Sequence, residues 1–237
     1  MPVYVRDRDI VVPGEPLASQ PFKGEGAVYV DKRKIYAKAL SVVEIDSESK
    51  VIRAIPLKKK YLPAKGDKVI GKIVDVGVTH WTVDINSPYP AILQATEVLP
   101  RPTDAARMDL SKILKPGDIV VAKVIVFDLT RDPLLTIKER GLGKITKGTL
   151  VQIDPAKIPR LIGKKGSMAN MIRKALGVDL IVGKNGRVII ISDDREKEAL
   201  AILIIRKIER EAHVSGLTDR IKKFLESYGI EVENNAQ

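Results

Sequence analysis

Gly163-Lys164-Lys165-Gly166 is the stretch of this chain whose residue types and spacing suit chemistry on a polyanion. Paired glycines let a backbone come close to a sugar-phosphate chain. A helix that begins just after such a loop aims its free amide N–H groups at phosphate. Lys164 and Lys165 add two positive charges at the same point. Four-residue windows with two glycines are common, so the meaning of the loop rests on its surroundings. Pro159 stands where the first turn of a helix tolerates a missing N–H, and Ser167 follows the loop where a helix cap is expected. Met168, Met171, Ile172, Ala175 and Leu176 then recur at helical spacing as one apolar stripe.

Other chemistries fit less well. A phosphate-binding loop of the Walker type needs a glycine five residues before Gly163, where Ile158 stands, and Ser or Thr after Lys164, where Lys165 stands. His80 and His213 lie far apart without ligand spacing. The absence of cysteine excludes disulfides, cysteine zinc ribbons and thiol nucleophiles. Asp193-Asp194 is the best carboxylate pair, but it opens a predicted helix, where carboxylates cap free N–H groups and complement the dipole. No catalytic residue, metal or cofactor is expected.

Lys and Arg outnumber Asp and Glu by 41 to 30, and the net charge of +11 favours nucleic acid through counterion release. The bland alternative is solubility, or a basic surface that meets an acidic protein. Residues 1–62 carry 12 basic and 8 acidic groups, residues 63–140 carry 11 and 10, and residues 141–237 carry 18 and 12. The excess is thus +4, +1 and +6, largest in the third that holds the glycine loop. No apolar run approaches the ~20 residues that cross a bilayer, and the N-terminus lacks the layout of a signal peptide, so a cytoplasmic location without membrane contact is expected. Charged residues reach 30% while Asn, Gln, Cys and His are scarce, a balance that resembles proteins of hot environments.

The elements that must position the loop follow from periodicity and punctuation. Over residues 1–62, Ala27 to Val30, Ile35 to Val43 and Val51 to Leu57 read as extended runs, with Asp46 to Lys50 as a hairpin loop. Lys58-Lys59-Lys60 followed by Pro63 and Gly66 suggests a solvated domain junction rather than a nucleic-acid contact. From Lys65 five strands follow: Val69 to Val78, His80 to Ile85, Tyr89 to Leu93, Ile119 to Phe127 and Leu134 to Lys138. Five strands with one long connection before the fourth suit a Greek-key barrel of the OB type. Alternation puts Trp81, Val83 and Ile85 in its core and His80, Thr82 and Asp84 outside, so Trp81 is a core residue and not a base-stacking platform.

After Gly143 come strand Leu150 to Ile153, a short helix from Ile158, the loop, helix Ser167 to Leu176, strand Val178 to Val182, turn Asn185-Gly186, strand Val188 to Ile191 and helix Asp194 to Ala212. This βααββα order, with the glycine loop between its first two helices, resembles a type I KH domain. A final amphipathic helix spans Thr218 to Tyr228, and residues 231–237 are expected to be a disordered tail.

Three stretches, taken together, resemble the archaeal exosome cap subunits of the ribosomal RNA-processing protein 4 type. They are Gly24 to Val30 with Lys34-Ile35-Tyr36-Ala37, Asp84-Ile85-Asn86-Ser87-Pro88-Tyr89-Pro90-Ala91, and Ile158 to Ser167. The resemblance implies a multidomain β then α+β chain: an N-terminal β domain (1–62) docking on the exosome ring, an S1 barrel of OB fold (63–141), and a KH domain with a C-terminal helix (142–230). It further implies a non-catalytic trimer of caps, three copies on a ring of RNase PH-like subunits, guiding single-stranded RNA to 3'-to-5' phosphorolysis by that ring. The RNA-binding residues expected are Ile162, Gly163, Lys164, Lys165, Gly166, Ser167 and Arg173, with His80 and Thr82 on the barrel; Leu180 is a further groove candidate. A free-standing S1/KH factor in transcription or translation fits the same RNA modules and stays open at this point.

Overall fold

The computed structural model describes residues 3–58, 60–99, 109–214 and 216–230. The expected tail at 231–237 lies outside them, as does Lys59 of the lysine run. The chain divides into two compact units, Met1–Lys59 and Lys60–Gln237.

The first unit holds β1 (Ile10–Val11), β2 (Pro16–Ser19), β3 (Lys23–Gly26), β4 (Val28–Asp31), β5 (Lys34–Ala37), β6 (Ser41–Asp46) and β7 (Val51–Pro56). They form two sheets, ordered β1-β6-β7-β3 and β2-β5-β4, over a core of Val11, Leu17, Ile35, Val43 and Ile52. The extended run expected from Ile35 to Val43 is broken at residues 38–40, because the chain there leaves one sheet for the other. Gly24-Glu25-Gly26 has a packing purpose: β3 runs parallel to β7, and a Cβ on Gly26 would stand 2.4 Å from the Ala54 carbonyl oxygen. The expected hairpin loop is present, with Asp46 Oδ1 accepting from the amides of Glu48 and Ser49.

The second unit opens with β8 (Lys68–Val76), β9 (His80–Asp84), β10 (Ala91–Gln94), the short helix α1 (Ala95–Val98), β11 (Ile119–Val126) and β12 (Leu134–Thr136). Pairing β8-β9-β10-β12-β11 and back to β8 closes a five-stranded barrel. Trp81, Val83 and Ile85 are fully buried in it, as alternation requires. Trp81 Nε1 donates to the Leu114 carbonyl at 2.9 Å, and Leu110 and Leu114, just before β11, are buried in the same core. A further strand, β13 (Gly143–Ile145), adds to the outer edge of β11. At three residues, beginning on a glycine, it is too short to show a strand period in the sequence.

The KH-type segment follows as β14 (Thr149–Gln152), α2 (Ile158–Ile162), α3 (Ser167–Leu176), β15 (Asp179–Val182), β16 (Arg187–Ile191), α4 (Arg195–Glu211) and α5 (Leu217–Glu226). Its antiparallel sheet has the order β14-β16-β15. One face packs on the helices through Val151, Leu161, Ile172, Val188, Ile190, Ile204 and Ile221. The other face presents Ile181, Ile189 and Ile191 to Ile70 and Val121 on the outside of the barrel. Burial on both faces explains the uninterrupted apolar run Val188–Ile191.

Candidate nucleic-acid interface

α2 starts with Pro159 in its first turn, so its missing N–H leaves no bond unmade, and the helix stops at Gly163. Gly163 has φ 75° and ψ 175°, a region that side-chain-bearing residues avoid. A Cβ there would stand 2.7 Å from the Met168 amide nitrogen, so glycine is required twice over. Lys164–Gly166 form a single tight turn in which Lys165 (φ 52°) and Gly166 (φ 82°) are left-handed. The turn leaves Lys164 and Lys165 exposed side by side.

Ser167 departs from expectation. It is the first helical residue of α3, with φ −57° and ψ −44°, and Gly166 occupies the capping position without a side-chain bond. The start of α3 therefore has no side-chain acceptor at its cap, and the Ser167 amide turns back to the Lys164 carbonyl. Met168, Ile172 and Leu176 are buried as the stripe predicts, anchoring the helix and with it the loop.

Arg173 lies one turn beyond Ala169. Its Nη2 donates to the Leu180 carbonyl on the edge strand at 2.5 Å and its Nη1 to Asn170 Oδ1 at 2.9 Å. Arg173 thus bridges α3 and β15. The Leu180 side chain is buried in the core, so of the groove candidates it offers only backbone. Ile162 packs partly buried against the same core. His80 and Thr82 are half-buried on β9 of the barrel, alternating with the buried Trp81 and Val83.

Regions of the chain match two described domains: the S1 domain of RRP4 over residues 60–125 and a KH domain over residues 148–195. The exosome complex component Rrp4 of Thermofilum pendens is 54% identical over 225 residues, covering 94% of this chain and 95% of that protein. Rrp4 of Thermococcus kodakarensis is 45% identical, covering 94% and 87%. A crystal structure described as an exosome complex RNA-binding protein superposes with a TM-score of 0.67 at 46% identity, covering 71% of this chain and 97% of the other. This chain belongs to the Rrp4 family.

Alternation alone does not find the residues that join the two modules of this Rrp4-family chain. Asn185, in the turn between β15 and β16, is fully buried against the barrel. Its Oδ1 accepts from the Ile70 amide at 3.1 Å, and its Nδ2 donates to the carbonyls of Ile70 and Ile85 at 2.8 Å each. Arg187 donates to the Asp84 carboxylate and to the carbonyls of Asp84 and Ile70. Asn86 Nδ2 reaches the Asn185 carbonyl at 2.8 Å, and Lys184 Nζ pairs with Asp67 at 2.7 Å. Gly183 has no room for a side chain: a Cβ would stand 3.0 Å from the Ile70 nitrogen.

Asp84 is therefore committed to Arg187 rather than free on the outer face. Burial opposes its ionisation, but the bonds from Arg187 and from the Asn86 amide outweigh burial and hold its carboxyl below the usual range. Burial, and next the Asp67 charge, push the Tyr61 phenol far upward, so it stays a donor to Asp67 at 3.0 Å. The signal in the sequence is the four-residue apolar run of β16 behind an arginine, which marks a strand with no solvent face.

Asp194 caps α4 by accepting from the amides of Glu196 and Lys197, in line with the structural reading of the Asp193-Asp194 pair. Among the described residues no group of three or more His, Asp or Glu gathers as a metal site, and no helix is long and apolar enough to cross a membrane.

Proposed function

We propose that this chain is a non-catalytic, RNA-binding cap of an archaeal exosome: three copies sit on a ring of RNase PH-like subunits in the cytoplasm, hold single-stranded RNA and direct it to 3'-to-5' phosphorolysis by the ring. The observation that carries the RNA-binding part is the loop at Gly163–Gly166. Its backbone, which requires glycine at position 163, brings two exposed lysines and the start of α3, which has no side-chain cap, to one point. That set suits the backbone of a nucleic acid, since each cation neutralises a phosphate and each amide donates to one.

Assembly into an exosome is supported by relatives that carry that name and align over 94% of the chain. The non-catalytic reading is supported by the use of Asp194, one half of the Asp193-Asp194 pair, as a helix cap and by the commitment of Asp84 to Arg187. The N-terminal unit has its own core and supplies a separate module for docking.

Affinity purification of the tagged full chain from its source cells tests the assembly. Phosphorolytic ring subunits should co-purify with it, and the purified chain alone should bind single-stranded RNA without shortening it. Recovery of the chain free of any such ring would instead favour a free-standing S1/KH factor.

A further inference from the structure

The hydrogen-bonded part of the seam between barrel and KH domain, the Gly183–Arg187 turn, lies at the same end of the KH sheet as the start of α3. α3 joins β15 through Gly177 and Val178 alone, and Arg173 bonds Leu180 across the gap, so helix and strand run antiparallel side by side. The ten residues of α3 span about 15 Å and the four of β15 about 13 Å, which returns the start of α3 to the level of Val182 and the Gly183–Arg187 turn. That turn is buried on the barrel. The Gly163–Gly166 loop, which precedes α3, therefore stands toward the barrel end of the KH sheet, where Lys184 and Lys68 are exposed.

The junction is more specific than domain contact requires. Asn185 satisfies both backbone groups of Ile70 as a neighbouring strand would, and Arg187 binds both the carboxylate and the carbonyl of Asp84. These are directional bonds in a buried setting, and they set orientation as well as proximity. The covalent link, residues 146–148 between β13 and β14, limits distance but not direction.

We propose that Asn185 and Arg187, seated on Asp84 and Asn86, are positioning residues for RNA: they fix the KH clamp on the barrel so that both engage one strand as a single rigid unit. The inference rests on the RNA-binding reading of the Gly163–Gly166 loop. Its consequence is a dependence on RNA length. An oligonucleotide of about four nucleotides fills the clamp alone. One of about twelve reaches the barrel as well, and its second contact gains from the effective concentration that a fixed geometry provides.

The full chain has no cysteine, so Ser111→Cys and Lys174→Cys, both exposed, take spin labels without background. In this labelled chain, Arg187→Met and Asn86→Ala should each widen the distribution of distances between barrel and KH domain. Affinity for the short RNA should stay within about twofold, while affinity for the long RNA should fall about tenfold. A widened distribution with an unchanged ratio of long to short affinity would overturn the proposal, and so would an unchanged distribution. If Arg187→Met fails to fold, Asn86→Ala, at a half-buried position, decides alone. Charge reversal at Lys164 and Lys165 separates the positioning role from the clamp beneath it. Intact short-RNA binding in that variant refutes the clamp, whereas its loss supports the clamp, and the ratio of long to short affinity then decides positioning.

Discussion

Gly163 is held at φ 75° and ψ 175° with the Met168 amide nitrogen 2.7 Å from where a Cβ would go. Gly163→Ala should therefore cost about 1–3 kcal/mol of stability and displace the lysines, lowering RNA affinity; denaturant titration and binding on the same sample check both. Asp84 yields a prediction in pH. Its carboxyl is depressed in the folded chain, so the stability it contributes is complete above its unfolded value near about 4 and is lost as pH falls through the lower folded value. Asp84→Asn should flatten the loss of stability below about pH 4, measured by thermal unfolding across pH. A variant with the acid limb of the parent would show that the pairing with Arg187 adds no linkage. Trp81 is legible from alternation because the inward face of a barrel strand is always core. Asp84 is not, since alternation says that a side chain points outward but is silent on what covers the outside.

At the level of elements, α3 matches its predicted bounds because its start follows a glycine turn and its end meets Gly177 in the left-handed region. Ser167 is not the cap that its residue type suggests: a Ser beside Gly competes for the capping position, and here the left-handed conformation gives it to Gly166. The cap of α4 is the reverse case, with Asp194 at the boundary accepting two amide bonds. Asp194→Ala should destabilise the chain by about 1 kcal/mol, read by denaturant midpoint, whereas Asp193→Ala, exposed and outside the cap, should have a smaller effect. β13 and the break between β5 and β6 are invisible in the sequence because both depend on which neighbour the chain meets, not on its own pattern. The barrel and the βααββα order are legible because their strands each have a buried face, and a buried face imposes a period.

The molecule as a whole consists of an N-terminal unit with its own core and a second unit in which the KH sheet is covered by helices on one side and by the barrel on the other. A chain lacking Met1–Lys59 should keep most of its RNA affinity and lose association with the ring; retention of the ring would remove docking from the N-terminal unit. Residues 63–140 carry a net charge of only +1, so if the barrel meets RNA as proposed, the phosphate contacts are expected to come from the KH loop. The most direct measurement is the affinity of the full chain for a labelled single-stranded RNA across salt concentrations, with and without Lys164→Asp and Lys165→Asp. Two lost phosphate contacts should weaken binding and reduce the slope of log affinity against log salt by about 1.4, with the fold intact. Affinity and slope equal to those of the parent chain would contradict the assignment of the Gly163–Gly166 loop as the clamp.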